Sequence, residues 1–127
     1  MEHFSRTTRL ALMLTIVTLA AAWMFAITSA QTSEEGIANF YNDSFQGKKT
    51  ASGDVYDKNG LTASHKKHPY GTKLRVTNLE NDKSVVVTVN DRMSRSNRAV
   101  IDVTRRAADE LGFAKEGKAR VKLEVAQ

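Results

Sequence analysis

Short apolar runs separated by polar turns recur along the chain from residue 36 onwards, and the strongest run is residues 84–91. Four valines and a threonine fill its centre, and β-branched residues favour strands. Val85, Val86 and Val87 are consecutive, so we expect both faces of this strand to be covered, as in the middle of a sheet or small barrel. The run ends in Asp91, which predicts either a carboxylate held at the end of a rigid element or an ordinary turn at a strand end.

Five further segments have the composition or alternation of strands. They are residues 36–41, 61–66, 72–79, 99–103 and 119–125. In the first we expect Ile37 and Tyr41 to face inward, and in the last Val121, Leu123 and Val125 share one face.

Turn and capping residues complete the pattern. Residues 80–83 tolerate positive φ, which predicts a hairpin between the two strands that flank them. Thr104 as N-cap and Gly112 just beyond the end predict a helix over residues 105–111. Six short strands with one or two short helices predict a mainly β fold, a small barrel over residues 36–126. Residues 42–60 show little periodicity and form a long loop, which is often functional.

Residues 1–30 have the pattern of a secretory signal. Arg6 and Arg9 precede an apolar run over residues 10–27, and small residues at 28–30 predict cleavage after Ala30. The run is also long enough to span a bilayer, so an uncleaved N-terminal anchor is the alternative. No cysteine is present for lipid attachment. We therefore expect export to the periplasm or the extracellular space, with membrane association only through an uncleaved segment.

Charge and cysteine content narrow the function further. The formal charge is +5, and +4 remains after residues 1–30 are removed. This charge favours a cell-wall polymer, a membrane surface or nucleic acid as partner, and export argues against nucleic acid. The absence of cysteine excludes thiol catalysis and most structural zinc sites. The histidines show no ligand spacing, so we expect no metal and no cofactor.

A series of short motifs appears in a fixed order. They are residues 36–41, Lys-Thr-Ala-Ser-Gly at 49–53, Leu-Thr-Ala-Ser-His at 61–65, residues 71–79, Val-Thr-Val-Asn-Asp-Arg at 87–92 and Val-Ile-Asp-Val-Thr at 100–104. Together they resemble the rare lipoprotein A family, whose exported members include septal lytic transglycosylases of peptidoglycan. The resemblance covers about residues 36–126 and implies a six-stranded double-psi β-barrel.

The resemblance also implies an activity. Such enzymes cut the bond between N-acetylmuramic acid and N-acetylglucosamine without water, closing a 1,6-anhydro ring. Asp91 matches the family's catalytic acid, which also acts as base and needs a setting that keeps its protonated form available. Asp54 stands where the family commonly has a glutamate, and His65 matches the family's histidine. We expect these two residues to orient the substrate or tune Asp91.

Other residues near these motifs are candidates for binding the glycan. Arg92 and Arg95 belong to a basic set that favours an anionic glycan groove. The chain's one tryptophan lies in the predicted signal, so only tyrosines and phenylalanines are left to stack on a sugar ring. Of these we expect Tyr41 and Tyr56 to bind the substrate. Asp102 lies in an otherwise apolar strand, and we expect it to be structural.

Two departures from the family leave alternatives open. Asp54 is one methylene shorter than glutamate, and Met93 to Ser96 replace the usual Gly-Pro loop. Both favour a non-catalytic, expansin-like module that binds wall polysaccharide. An inverting hydrolase with Asp54 and Asp91 about 6.5–9.5 Å apart, or a protease inhibitor, would also suit this barrel. We favour the transglycosylase, with peptidoglycan glycan strands as partner and a monomeric state.

Overall fold

Six strands form a closed barrel in the computed structural model, which describes residues 32–127. The predicted signal, residues 1–30, lies outside the described residues. The strands are β1 (Ser33–Phe40), β2 (Thr62–His65), β3 (Lys73–Asn78), β4 (Ser84–Arg92), β5 (Ile101–Val103) and β6 (Lys118–Val125). A 3-10 helix, Asp43–Phe45, follows β1, and the α-helix α1, Arg105–Leu111, lies between β5 and β6.

The strand order around the barrel is β1-β5-β2-β4-β3-β6. Two pairs are parallel, β1 with β5 and β2 with β4, and the remaining neighbours are antiparallel. Closure gives every strand two partners and leaves no strand edge free. The predicted fold, a double-psi β-barrel with six strands and short helices, is confirmed. Within residues 32–127, no helix is long and apolar enough to cross a membrane.

Strand β4 has one face in the core of the barrel. Val85, Val87 and Val89 are buried there, whereas Val86 and Thr88 on the opposite face are only half-buried. The strand therefore alternates as a β-strand does. The expectation that both of its faces are fully covered is wrong for the outer face.

The prediction that Ile37 faces inward is wrong, and Val125 is more exposed than the two residues predicted to share its face. Ile37 is 37% exposed, and its neighbour Ala38 occupies the core position instead, because consecutive side chains point to opposite faces. Val125 is 50% exposed, although Val121 and Leu123 on the same strand are buried. Val125 is the last residue of β6, so it lies at the end of the barrel.

The predicted hairpin and helix are both present. β3 and β4 pair from Lys73 opposite Thr88 to Thr77 opposite Ser84. Helix α1 begins as expected, because the Thr104 side chain accepts a hydrogen bond from a backbone N–H in its first turn. It ends at Gly112, whose φ of 78° is left-handed, a conformation that glycine adopts without strain.

Gly36 of β1 lies against the side chain of Val100, which precedes β5. A Cβ atom added at this position would lie 2.4 Å from Cγ1 of Val100, and a valine side chain in a packed setting has little freedom to move. We expect Gly36→Ala to lower the free energy of unfolding by about 1–3 kcal/mol, as overpacking does. Urea denaturation measures this change. In a Val100→Ala background the same substitution should cost less, and an equal cost in both backgrounds would contradict the steric explanation.

Candidate active site

A β-bulge at the end of β4 determines where Asp91 points. In the parallel pairing of β2 with β4, Ala63 lies opposite Val89, but the next residue, Ser64, lies opposite Asp91. Asn90 is therefore an extra residue in β4. An unbroken ladder would place Asp91 opposite His65. Because the side-chain period of a strand is two, the bulge moves the Asp91 carboxylate to the face that Ser64 occupies.

Four polar residues form a row across four neighbouring strands. Asn39 of β1 pairs with Asp102 of β5, Asp102 pairs with Ser64 of β2, and Ser64 pairs with Asp91 of β4. We call these four residues the polar row. All four line one open cavity of about 450 Å³, a size typical of small-molecule sites. The other lining residues are Phe40, Tyr41, Asn42, Phe45, Arg92, Met93, Ser94 and Asn97.

Three hydrogen bonds orient the carboxylate of Asp91. The Tyr41 hydroxyl donates to Oδ2 at 2.6 Å. The backbone N–H groups of Ala51 and Arg92 donate to Oδ1 at 2.8 Å and 2.9 Å. The long loop after β1 thus folds back onto the end of β4. All three partners donate, so Asp91 is held as an acceptor in a fixed position at the cavity wall.

Tyr41 is held in place by a second tyrosine. Its ring stacks on Tyr56 with centroids 4.5 Å apart and an interplanar angle of 25°. Burial raises the pKa of the Tyr41 phenol well above its usual range, and the hydrogen bond to Asp91 raises it further. The phenol therefore stays protonated and can donate to Asp91. Tyr56, predicted to bind substrate, is only 2% exposed and lies off the cavity wall, so the structure places it as a support for Tyr41.

Asp102 lines the cavity, a position that its sequence context did not predict. It is half-buried in the polar row, whereas its apolar strand context predicted a structural role. Burial raises the pKa of the Asp102 carboxyl above its usual range, and the negative charge of Asp91 raises it further. The site therefore contains two carboxyl groups in different environments.

His65 lies beside the site, not on the cavity wall. It is 1% exposed, and its Nε2 is 2.9 Å from Oε1 of Glu34. Its Nδ1 accepts the backbone N–H groups of Lys67 and His68, so Nε2 carries the hydrogen that faces Glu34. His68 is half-buried, with its ring centroid 4.5 Å from that of His65. The geometry of His65 fixes the turn after β2.

The two arginines predicted to bind glycan occupy different settings. The Arg92 guanidinium donates to the carbonyl oxygens of His65 and His68 at 3.0 Å and 2.9 Å and lies 4.8 Å from the ring centroid of Tyr70. Arg92 lines the cavity, and two of its five N–H donors are committed to backbone carbonyl groups of the protein. Arg95 is exposed and does not line the cavity. Only a substrate that extends beyond the cavity could reach it.

Asp54 lies next to the bulge. Its Oδ2 accepts a long hydrogen bond, 3.4 Å, from the Asn90 side-chain amide, and its backbone carbonyl closes the loop through the Thr50 N–H. The side chain is exposed and does not line the cavity. The structure thus brings Asp54 near the bulge that positions Asp91. In the described part of the chain, no group of three or more His, Cys, Asp or Glu residues could hold a metal ion.

Two carboxyl groups, those of Asp91 and Asp102, thus line one cavity of a closed double-psi barrel. The family model described as lytic transglycolase matches residues 33–123, and the chain belongs to this family. The resemblance to the rare lipoprotein A family is confirmed by relatives named endolytic peptidoglycan transglycosylase RlpA. The relative from Neisseria meningitidis serogroup A is 45% identical over 95 residues, 75% of this chain and 40% of the relative. The relative from Pseudomonas aeruginosa strain UCBPP-PA14 is 49% identical over 89 residues, 70% of this chain and 26% of the relative. The chain thus spans less than half the length of these relatives.

Solved structures share the fold at low sequence identity. The Streptomyces papain inhibitor has a TM-score of 0.60 and 18% identity, and the match covers 76% of this chain and 96% of the inhibitor. The D78N mutant of Clavibacter michiganensis expansin, in complex with cellohexaose, has a TM-score of 0.61 and 15% identity, over 76% of this chain and 51% of the expansin. These similarities concern the fold alone.

Proposed function

We propose that this protein cleaves the glycan strands of peptidoglycan as a lytic transglycosylase, with Asp91 transferring protons at the bond that is cut. The observation that carries the proposal is the orientation of Asp91 by three hydrogen bonds at the wall of an open polar cavity. Membership of the lytic transglycolase family supports the reaction class.

The reaction needs a proton on the glycosidic oxygen and the removal of a proton from the C6 hydroxyl of the muramic acid ring. The C6 oxygen then bonds to C1 as the glycosidic bond breaks, and no water enters the product. A group that transfers protons must lie within hydrogen-bond reach of the reacting atom. The three hydrogen bonds hold the Asp91 carboxylate in one position at the cavity wall, where it can meet a bound substrate. The net positive charge of the chain favours an anionic polymer.

The proposal includes where the reaction takes place. The basic start, apolar run and small residues of positions 1–30 support export to the periplasm or the extracellular space, where peptidoglycan lies. If that segment is not cleaved, it would tether the barrel to the membrane. Closure of the barrel leaves no strand edge for pairing with a second copy, which supports a monomer.

Product identity tests this function. The purified protein is incubated with intact peptidoglycan and with peptidoglycan stripped of its stem peptides, and the soluble products are analysed by mass spectrometry. We expect soluble glycan fragments that end in 1,6-anhydro-N-acetylmuramic acid, each lighter by one water than a hydrolysis product. Reducing-end products would identify a hydrolase instead. Sedimentation of the protein with the wall, without any soluble product, would identify a binding module.

Removal of the Tyr41 hydroxyl tests how Asp91 is held. We expect Tyr41→Phe to lower kcat by about 10- to 100-fold, because loss of the donor at Oδ2 lets the carboxylate move and small misplacements are costly. KM should change little, since the ring still stacks on Tyr56. Initial rates of anhydro-product release measure both constants.

The matched control is Tyr70→Phe, which removes a hydroxyl from an exposed ring outside the cavity wall. Its rate should stay within about twofold of wild type, as for most surface substitutions. An equal effect of the two substitutions would show that Tyr41 does not act through Asp91.

A further inference from the structure

We propose that Asn39 and Asp102 form a subsite that binds the acetamido group of a sugar next to the bond that is cut. This subsite rests on the proposed function and deepens it, because N-acetylmuramic acid and N-acetylglucosamine both carry an acetamido group at C2. The Asn39 amide donates to the acetamido carbonyl oxygen, and the Asp102 carboxyl group accepts from the acetamido N–H. We call these two residues the acetamido pair.

The two side chains are neighbours on the cavity wall. Asn39 of β1 and Asp102 of β5 are partners in the parallel ladder, so their Cα atoms lie about 5 Å apart, one strand spacing. Ala38 and Val103, which adjoin them in the chain, are buried in the core, so Asn39 and Asp102 point to the outer face of the barrel. This face is convex, and the ends of neighbouring side chains spread apart there and can hold a group between them.

The acetamido pair has polar atoms without a partner in the protein. Asp91 accepts three hydrogen bonds, and the side-chain oxygens of Asn42 and Asn97 each accept a backbone N–H. In the described part of the chain, the half-buried side chains of Asn39 and Asp102 form no such hydrogen bond. A substrate that fills the cavity displaces solvent from these groups, so it binds well only if it supplies their hydrogen bonds.

The chemistry of the pair matches an acetamido group. The Asn39 amide can donate two hydrogen bonds, and the Asp102 carboxyl group can accept in both of its protonation states. An acetamido group offers the complement at two different atoms, a carbonyl oxygen that accepts and an N–H that donates. A hydroxyl group offers both functions at one atom and suits two side chains on neighbouring strands less well. Phe40 and Met93 line the same cavity and offer apolar surface to the acetamido methyl group.

The pair lies close to the group that transfers protons. Only Ser64 separates Asp102 from Asp91 in the polar row, so the Cα atoms of the two aspartates are about 10 Å apart, two strand spacings. A sugar whose glycosidic oxygen meets Asp91 therefore extends along the row towards Asp102 and Asn39. Asp91 carries both proton transfers in this arrangement. The acetamido pair holds the sugar in place and selects strands whose sugars are N-acetylated.

Two neutral oligosaccharides test this specificity. The N-acetylglucosamine hexamer and cellohexaose share a 1,4-linked backbone and differ in carrying an acetamido group or a hydroxyl group at C2. Calorimetric titration of the full chain measures Kd for each. We expect the N-acetylated hexamer to bind about 5- to 50-fold more tightly, the value of one or two hydrogen bonds. Asn39→Leu keeps the size of the side chain but removes its donors, so it should abolish most of this difference.

Further variants separate the donor and the acceptor. Asn39→Ser keeps a donor and should restore part of the preference for the N-acetylated hexamer. Asp102→Asn keeps an acceptor oxygen and should weaken binding of that hexamer less than Asp102→Leu does. The matched control is Asn59→Leu, the same exchange at an exposed asparagine outside the cavity wall. It should leave both Kd values within about twofold of wild type.

Kinetics on peptidoglycan strands stripped of stem peptides distinguish substrate binding from a structural role. An interaction made equally with the substrate and the transition state raises KM without changing kcat. We expect Asn39→Leu to raise KM about 5- to 50-fold and to keep kcat within about threefold of wild type. Loss of structure would instead lower the fraction of active protein, and with it kcat, at an unchanged KM.

Thermal denaturation shows which variants are folded. A folded Asn39→Leu protein that keeps the wild-type preference would overturn the subsite, as would a wild-type protein that binds the two hexamers equally or binds neither. If Asn39→Leu does not fold, Asn39→Ser decides the same question, because an unchanged preference there also overturns the subsite. A wild-type protein that prefers the N-acetylated hexamer but releases no anhydro product from peptidoglycan would refute the proposed function and leave a binding subsite without the reaction.

Discussion

Replacement of Asp91 by asparagine is expected to lower the release of anhydromuropeptides from peptidoglycan by about 10²- to 10⁴-fold, the contribution typical of a positioned proton-transfer group. The amide is nearly the same shape as the carboxylate and fits its surroundings. Its oxygen can accept from the Ala51 and Arg92 N–H groups, and its NH₂ can donate to the Tyr41 hydroxyl oxygen. It cannot exchange a proton with substrate. Quantitative mass spectrometry of soluble products measures the loss.

The chain offers a matched control in Asp109, an exposed aspartate on α1. Asp109→Asn makes the same change of charge away from the cavity, and its rate should stay within about twofold of wild type, in line with surface substitutions generally. Thermal denaturation of both variants separates loss of chemistry from loss of fold. An Asp91→Asn protein that keeps more than a tenth of the wild-type rate would remove Asp91 from the centre of the mechanism.

Local sequence patterns identified the elements of this fold but not which faces point inward. The valine run of β4 and the capping residues Thr104 and Gly112 act through propensities that are local in the chain, so their positions are predicted closely. Ile37 shows the limit of this reasoning. In a strand with one large aliphatic residue, the inward face is decided by pairing with β5 and β6, which local pattern does not contain.

The residues of the site likewise include some that the sequence predicts and some that it does not. Asp91 could be predicted because it ends a long apolar strand, and the family resemblance pointed to the same residue. The place of Asp102 on the same cavity wall as Asp91 could not, since it depends on the register of three strands and on one extra residue in β4. A bulge at Asn90 leaves no clear mark in the sequence. The burial of Tyr56 likewise depends on how a long loop folds back on itself.

Asp54 and His65 both occupy motif positions of the family, but their surroundings in this structure differ. His65 is locked by Glu34 and two backbone N–H groups, so its contribution would pass through the turn that it stabilises and through Arg92, which binds its carbonyl oxygen. Within residues 32–127, the Asp54 carboxylate accepts one side-chain hydrogen bond, from the amide of the bulge residue Asn90. Their roles in tuning Asp91 stay predictions.

Phe113 connects the core to the cavity, and its replacement by alanine should have the largest effect on stability. The side chain is 2% exposed, and its ring centroid lies 6.0 Å from that of Phe40, a residue that lines the cavity. Truncation of a buried aromatic leaves a cavity that the surroundings fill only partly. We expect Phe113→Ala to lower the free energy of unfolding by about 3–5 kcal/mol, measured by urea denaturation followed by circular dichroism.

Phe45 provides the control, because the same truncation at a 46% exposed ring on the cavity rim removes little buried surface. Phe45→Ala should change the free energy of unfolding by less than about 1 kcal/mol. Its effect should appear in KM for peptidoglycan, since an exposed aromatic beside Tyr41 can stack on a sugar ring. The two substitutions would thus separate the effect of core packing, at Phe113, from the effect of substrate contact, at Phe45. Equal losses of stability would show that Phe45 also belongs to the core.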